Sequence, residues 1–348
     1  MIIKIGNREI GPGKPCFIIA EAGVNHNGDV ELAEKLVYAA AETGADAVKF
    51  QTFKAEQVVV QEALTVAYQK RNTGKDSQID LLKPLELPES AYPRLIRVCE
   101  KAGIMFLSTP HGHIESAEFL RDKVPVWKVA SGDLTNNPFL TYLGQSGKPI
   151  ILSTGYATIE EIKEAVQVIE KTGNKQLVIL HCVSNYPCPA EEANVAAVLD
   201  LQKHFPDYPI GFSDHTMGIE ADIIAAAYGA TVIEKHFTLD CSMPGPDQKN
   251  SLEPTQFKQM VNSVRLTEKL IGTGLKVPQP GELQNKSIAR RSIVAAEDIK
   301  KGTIITGTML TIKRPGTGIE PKMLEQIIGK KASREIKTDE LLKPNDWM

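Results

Sequence analysis

Eight short apolar runs, each ending in polar or small residues, recur between Cys16 and Leu239: 16–23, 47–53, 104–110, 124–133, 149–155, 177–187, 209–216 and 231–239. Stretches with helical periodicity separate them. In the stretch 158–173, Ile159, Ile162, Val166 and Ile169 form one apolar stripe, Thr158 with Glu161 has capping-box spacing, and Gly173 offers a stop. A second helix is expected over 30–44, between Asp29 and Gly44. Strands that alternate with helices form parallel β/α units, and eight such units predict a closed (β/α)₈ TIM barrel. The rival is an open doubly wound sheet, but no G-x-G-x-x-G motif follows the first run.

A barrel leaves part of the 348 residues over. Gly and Pro cluster from Gly272 to Gly281, and the residues beyond read as short strands and turns. The expected organisation is a barrel over 1–271, a linker over 272–286 and a small C-terminal domain over 287–348. From Asn285 onward there are 13 Lys and Arg against eight Asp and Glu, a net +5, so the remainder carries −8 of the overall −3. A basic module beside an acidic one suggests docking or a shared anionic ligand. The near-neutral total argues against nucleic-acid or membrane partners. No apolar run is long enough to span a bilayer, and no signal-peptide core opens the chain. Five scattered cysteines fit reduced thiols of a cytoplasmic protein; Cys182 and Cys188 lack zinc-ligand spacing and receive no functional weight. The polar stretch Lys54–Leu87 is too long for an ordinary loop and reads as a lid over a site or as an insertion.

In a barrel of this kind the site lies at the C-terminal strand ends. Those ends carry Glu21; Lys49 and Gln51; Ser108 and Thr109; Lys128, Ser131 and Asp133; Ser153 and Thr154; His181, Ser184 and Tyr186; Ser213, Asp214 and His215; Glu234 and His236. Any one polar strand end is ordinary, whereas a full ring of lysines, acids and hydroxyls is not what packing alone selects. Lys49 and Lys128 with the hydroxyl groups suit a phosphate or carboxylate. Glu234 and His236, two apart on one strand, share a face. His215 and His236 come from neighbouring strands and can meet on one divalent metal. His204 reads as surface and His181 as structural, while His26, His111 and His113 lie in rim loops and stay open.

These residues carry a resemblance. E-A-G-V-N-H-N-G (21–28), A-D-A-V-K-F-Q (45–51), L-S-T-P (107–110), K-V-A-S-G-D (128–133), I-L-S-T-G (151–155), H-C-x-x-x-Y-P-x-P (181–189), G-F-S-D-H-T (211–216), I-E-K-H-F-T-L-D (233–240), P-G-P-D (244–247) and I-K-R-P-G-T-G-I (312–319) resemble the sialic acid synthase family of N-acetylneuraminate, legionaminate and pseudaminate synthases. The resemblance runs nearly end to end. It implies a TIM barrel followed by an antifreeze-like SAF domain. It also implies a domain-swapped homodimer in which Arg314 enters the partner's site.

The implied reaction joins phosphoenolpyruvate to an open-chain N-acetylhexosamine and releases phosphate by C–O cleavage. The resemblance gives His215 and His236 a divalent metal, Mn²⁺ or Mg²⁺. Lys49, Gln51, Thr109, Lys128, Ser131, Ser153, Ser184 and Ser213 would hold phosphoenolpyruvate, and Glu21, Tyr186, Asp247 and Arg314 the sugar. Asp133 leads the candidates for the water-activating carboxylate, ahead of Glu234 and Glu21. N-acetylmannosamine is the first acceptor to expect, with 2,4-diacetamido-trideoxyhexoses as the alternative. Ser184 and Asp133 depart from the neuraminate synthase pattern, which often has Asn and Glu there. Two rivals remain: a Schiff-base aldolase using Lys49, Lys128 or Lys235, and a non-catalytic carbohydrate-binding protein.

Overall fold

Every one of the eight apolar runs contains a parallel strand in the computed structural model, which describes all residues from Met1 to Met348. A hairpin of β1 (Ile3–Ile5) and β2 (Arg8–Ile10) precedes them. The parallel strands are β3 (Phe17–Gly23), β4 (Ala47–Thr52), β5 (Met105–Pro110), β6 (Trp127–Val129), β7 (Ile150–Ser153), β8 (Leu177–Cys182), β9 (Ile210–Asp214) and β10 (Val232–His236). Their hydrogen-bonded order is β5-β4-β3-β10-β9-β8-β7-β6. Because β3 lies beside β10, the sheet curls back on itself, and β5 meets β6 across a seam without a ladder.

The strands are nearly continuous hydrophobic runs because both faces are covered. Inward residues Phe17, Ile19, Ala47, Leu107, Val126, Ile151, Val178, Leu180 and Val232 fill the lower barrel, where Ile3, Ile5 and Ile10 of the hairpin join them. Outward residues such as Ile18, Val48, Ile179 and Ile233 pack beneath the helices. The helix Val30–Thr43 begins where the Asp29 carboxylate accepts from the Glu31 and Leu32 N–H groups, and ends at left-handed Gly44. Helix Ile159–Glu170 carries the expected capping box of Thr158 and Glu161. With apolar layers filling the floor, polar inward positions occur only at the upper strand ends.

The chain divides into two compact units, Met1–Gly272 and Thr273–Met348. Part of the stretch expected to be linker forms a helix, Pro280–Ala289, started by Pro280 and Glu282. In the second unit β11 (Ser292–Ala295) pairs antiparallel with β12 (Leu310–Lys313). Ile293, Ile299, Ile305, Ile327, Ile336 and Leu342 form its own small core. The K-R-P-G-T-G loop leaves β12 and is pinned by Ser292, whose Oγ donates to Pro315 O at 2.7 Å and accepts from Gly318 N at 2.8 Å. No helix is long and apolar enough to cross a membrane.

Candidate active site

Strand register brings the charged ends together. His236 lies opposite Glu21 across β10–β3, Glu21 opposite Lys49 across β3–β4, and Ser213 opposite Glu234 across β9–β10. Lys49 Nζ is 2.6 Å from Glu21 Oε2 and 3.8 Å from Glu234 Oε2, and it donates to Thr109 Oγ1 at 3.1 Å. Lys128 Nζ is 3.5 Å from Glu234 Oε1 and donates to Ser153 Oγ at 2.8 Å. Ser213 Oγ donates to Glu234 Oε1 at 3.3 Å, and Gln51 Nε2 to Glu21 Oε1 at 2.9 Å. All four charged side chains are buried.

Burial of two ammonium groups is tolerable only because the two carboxylates compensate them. The environments then separate the acids. Burial would raise Glu234, but Lys128 and Lys49 outweigh it and hold the carboxyl below its usual range. At Glu21 burial prevails over Lys49 and pushes the pKa up. Burial likewise depresses Lys128, whereas Glu21 and Glu234 outweigh it at Lys49 and raise that ammonium. One acid is thus kept as an anion while its neighbour binds a proton more readily, a division suited to acid–base work.

His215 and His236 stand beside this quartet with ring centroids 5.4 Å apart. His215 Nδ1 lies 2.7 Å from Val183 O, which makes it the N–H donor there, and burial of this imidazole is outweighed by the neighbouring Cys182, which raises its pKa. His236 Nδ1 is buried without a hydrogen-bond partner, 4.0 Å from Asp247 Oδ2. Burial, reinforced by the His215 charge, drives His236 well toward its neutral, ligating form. Two converging imidazoles, one with an orphaned nitrogen, fit a divalent cation. No third His, Cys, Asp or Glu is gathered with them as a preformed cage, so water or substrate would fill the remaining positions. Burial raises the neighbouring Asp247 to about 7.

The excursion after β4 folds over this end of the barrel as short helices, including Ala55–Val58, Ala67–Thr73 and Gln78–Leu82. Its Tyr68 stacks on Tyr186 at 5.1 Å, and Tyr186 in turn lies 4.0 Å from the His215 ring. Asn72 Nδ2 donates to Pro246 O at 2.8 Å, next to Asp247.

A model of the NeuB family matches residues 36–276, and a model of the SAF domain matches residues 290–347. The chain belongs to the NeuB family. It is 45% identical to a protein named N,N'-diacetyllegionaminic acid synthase from Campylobacter jejuni, over 95% of this chain and 99% of that one. A protein of the same name from Legionella pneumophila is 43% identical, over 95% and 96%. A crystal structure of N-acetylneuraminic acid synthetase from Leptospira borgpetersenii superposes with a TM-score of 0.73 at 35% identity, covering 82% of this chain and 95% of that one.

Within this NeuB chain, Lys49, Gln51, Thr109, Lys128, Ser153, Ser213, Glu21 and Glu234 converge as one group joined by hydrogen bonds and ion pairs. Ser131 and Ser184 sit at its edge: Ser131 Oγ accepts from Gly155 N at 3.0 Å, and Ser184 Oγ lies 3.7 Å from Cys182 Sγ. Asp133 does not join that group. It ends a 3₁₀ turn, Ser131–Asp133, that rotates its carboxylate toward Gly112 and Asn136. Arg314 is exposed in the second unit. Lys235, one of the three lysines considered for a Schiff base, faces outward from β10; its ammonium pairs with Asp214 and lies 3.7 Å from Asp222 Oδ2, all three buried.

Sequence reasoning missed Cys182. Its Sγ lies 3.5 Å from Ser131 Oγ and 3.8 Å from His215 Nδ1. Burial alone would raise this thiol, but His215 with the Ser131 and Ser184 hydroxyls brings it down to about 7. The strand alternation that turns Leu180 inward turns Cys182 inward too, and that signal was available in the sequence. Tyr68 carried no such signal, because its contact depends on the path of the long excursion.

Proposed function

We propose that this protein condenses phosphoenolpyruvate with the open-chain form of a 2,4-diacetamido-2,4,6-trideoxyhexose, forming a nonulosonic acid of the N,N'-diacetyllegionaminate type. The observation that carries the reaction is the compensated quartet of Lys49, Lys128, Glu21 and Glu234 beside the His215–His236 pair. The 45% and 43% identities to two N,N'-diacetyllegionaminic acid synthases support the choice of sugar. N-acetylmannosamine is the second acceptor, favoured by the likeness to the Leptospira synthetase.

In this reading Lys49 and Lys128, with the Thr109, Ser153 and Ser213 hydroxyls, bind the phosphate and carboxylate of phosphoenolpyruvate. C3 of phosphoenolpyruvate attacks the aldehyde carbon, and the aldehyde oxygen takes up a proton to become a hydroxyl group. The Lys49–Glu21 ion pair, closed at 2.6 Å, is placed to supply that proton from the ammonium. Cationic character develops at C2, where the ionised Glu234 stabilises it and accepts a proton from the attacking water. The C2–O bond to phosphate then breaks, leaving the 2-keto acid. Asp247 and Tyr186 orient the sugar, and Arg314 of a second subunit completes its binding. A divalent cation on His215 and His236 would supply Lewis-acid polarisation of the aldehyde. Tyr68 and the rest of the excursion shield the site from bulk solvent.

The test is phosphate release from phosphoenolpyruvate with Mn²⁺, comparing the diacetamido sugar with N-acetylmannosamine. Faster turnover of the diacetamido sugar, abolished by chelator, is expected. Preference for N-acetylmannosamine would establish the second reading, and no release with either would refute the reaction.

A further inference from the structure

We propose that His111 is a third anion-binding group of the site, donating a neutral N–H to the phosphoenolpyruvate oxygen held near Lys49 and Lys128. The inference rests on the phosphoenolpyruvate reading above and adds a residue to it. The His111 N–H donates to Thr52 O at 3.2 Å, which prolongs the β4–β5 ladder by one residue. Alternation then sends Thr109 and His111 to the same side, and Thr109 already accepts from Lys49 inside the barrel. The half-buried imidazole packs edge-on against Phe53 at 5.9 Å, with its ring nitrogens open to solvent or ligand. Burial, aided by the charges of Lys49 and Lys128, brings its pKa down to about 4. A neutral imidazole beside two cations can donate to an oxyanion without adding a third positive charge to the rim.

The turn that carries His111 is itself braced. Gly112 has φ +57°, and a Cβ there would come within 2.4 Å of Asp133 Oδ1. Asn136 Nδ2 donates to Gly112 O at 3.3 Å, and on the far side His113 caps helix Ile114–Leu120 through Nδ1 to Glu115 N. Asp133 and Asn136 therefore hold the backbone that aims His111. This gives Asp133 a positioning role instead of the water-activating one.

The experiment is direct binding of phosphoenolpyruvate, inorganic phosphate and pyruvate to the full-length protein, wild type against His111→Phe and His111→Gln. Phe keeps the packing on Phe53 and removes both nitrogens; Gln keeps an N–H donor. A loss of about tenfold or more in phosphoenolpyruvate affinity for His111→Phe, largely restored in His111→Gln, is expected from removal of a hydrogen bond to a charged group. The same loss with phosphate or with pyruvate tells which end of the ligand His111 meets, and either supports the proposal. Unchanged binding in His111→Phe, or no binding of any of the three anions to wild type, overturns it. Because no sugar is present, failure of the condensation itself would leave this result readable.

Discussion

Glu234 is held between two buried ammonium groups, 3.5 Å from one and 3.8 Å from the other. That placement makes its charge dependable and its replacement informative. Glu234→Gln keeps the shape and the hydrogen bond from Ser213 while removing the anion. Steady-state kinetics of phosphate release should show kcat lower by about 10²-fold or more, with KM for phosphoenolpyruvate not raised, since the lysines lose a competitor. Asp133→Asn, which keeps the shape of the group bracing Gly112, should leave kcat near the parent value. An Asp133→Asn defect as large as that of Glu234→Gln would return the water-activating role to Asp133. At this scale the sequence was most readable where a strand imposed alternation. Glu234 and His236 could be paired from their spacing alone, because residues two apart on a strand share a face. Asp133 could not be placed, because the 3₁₀ turn after the short strand β6 sets its direction, and turn geometry is not periodic.

Alternation also gives β10 two separate tasks. Glu234 and His236 face the site, while Lys235 between them is locked to Asp214 and Asp222 on the outer side. The outward ion pairs thus fix the residues that flank both histidines. In the second unit the corresponding brace is Asp298, which accepts from Thr338 N at 2.9 Å, Thr338 Oγ1 at 3.0 Å and Lys337 Nζ at 3.0 Å. The Thr338 backbone N–H, followed by Lys337, lowers this carboxyl to about 2. A pKa depressed on folding stabilises above the unfolded value, about 4, and the benefit disappears as pH falls through about 2. Asp298→Asn should therefore speed exchange of the Thr338 amide at pH 7, and the difference from wild type should shrink below pH 4. A difference that persists unchanged at pH 2 would mean that charge is not what holds the turn. The elements themselves were legible from apolar runs and caps, since burial on both faces writes parallel strands in continuous hydrophobic residues. The helix Pro280–Ala289 was not, because its Gly- and Pro-rich approach resembles an unstructured linker.

Over the whole chain, composition shows the change of sign in charge beyond the Gly- and Pro-rich stretch, while a partnership between subunits rests on the family resemblance alone. If Arg314 serves the site of a second subunit, two inactive variants should rescue each other. His215→Ala spoils its own site but still presents Arg314; Arg314→Ala has a sound site and no arginine to lend. Co-expression of differently tagged chains should yield mixed dimers with one working site, hence about a quarter of wild-type activity in a random mixture. Activity no higher than that of either variant alone would place Arg314 in its own subunit's site or outside catalysis.

The seam between β5 and β6 has a consequence for how the barrel can be taken apart. A chain divided between Leu120 and Trp127 would sever no ladder: one piece keeps β3, β4 and β5, the other keeps β6 to β10. The ladder that rejoins the pieces is β3 against β10, the one that sets Glu21 opposite His236. Reassembly of the halves and construction of the candidate site are then a single event, so under the proposed reaction this barrel would serve as a split reporter, silent in fragments and active only when something brings them together.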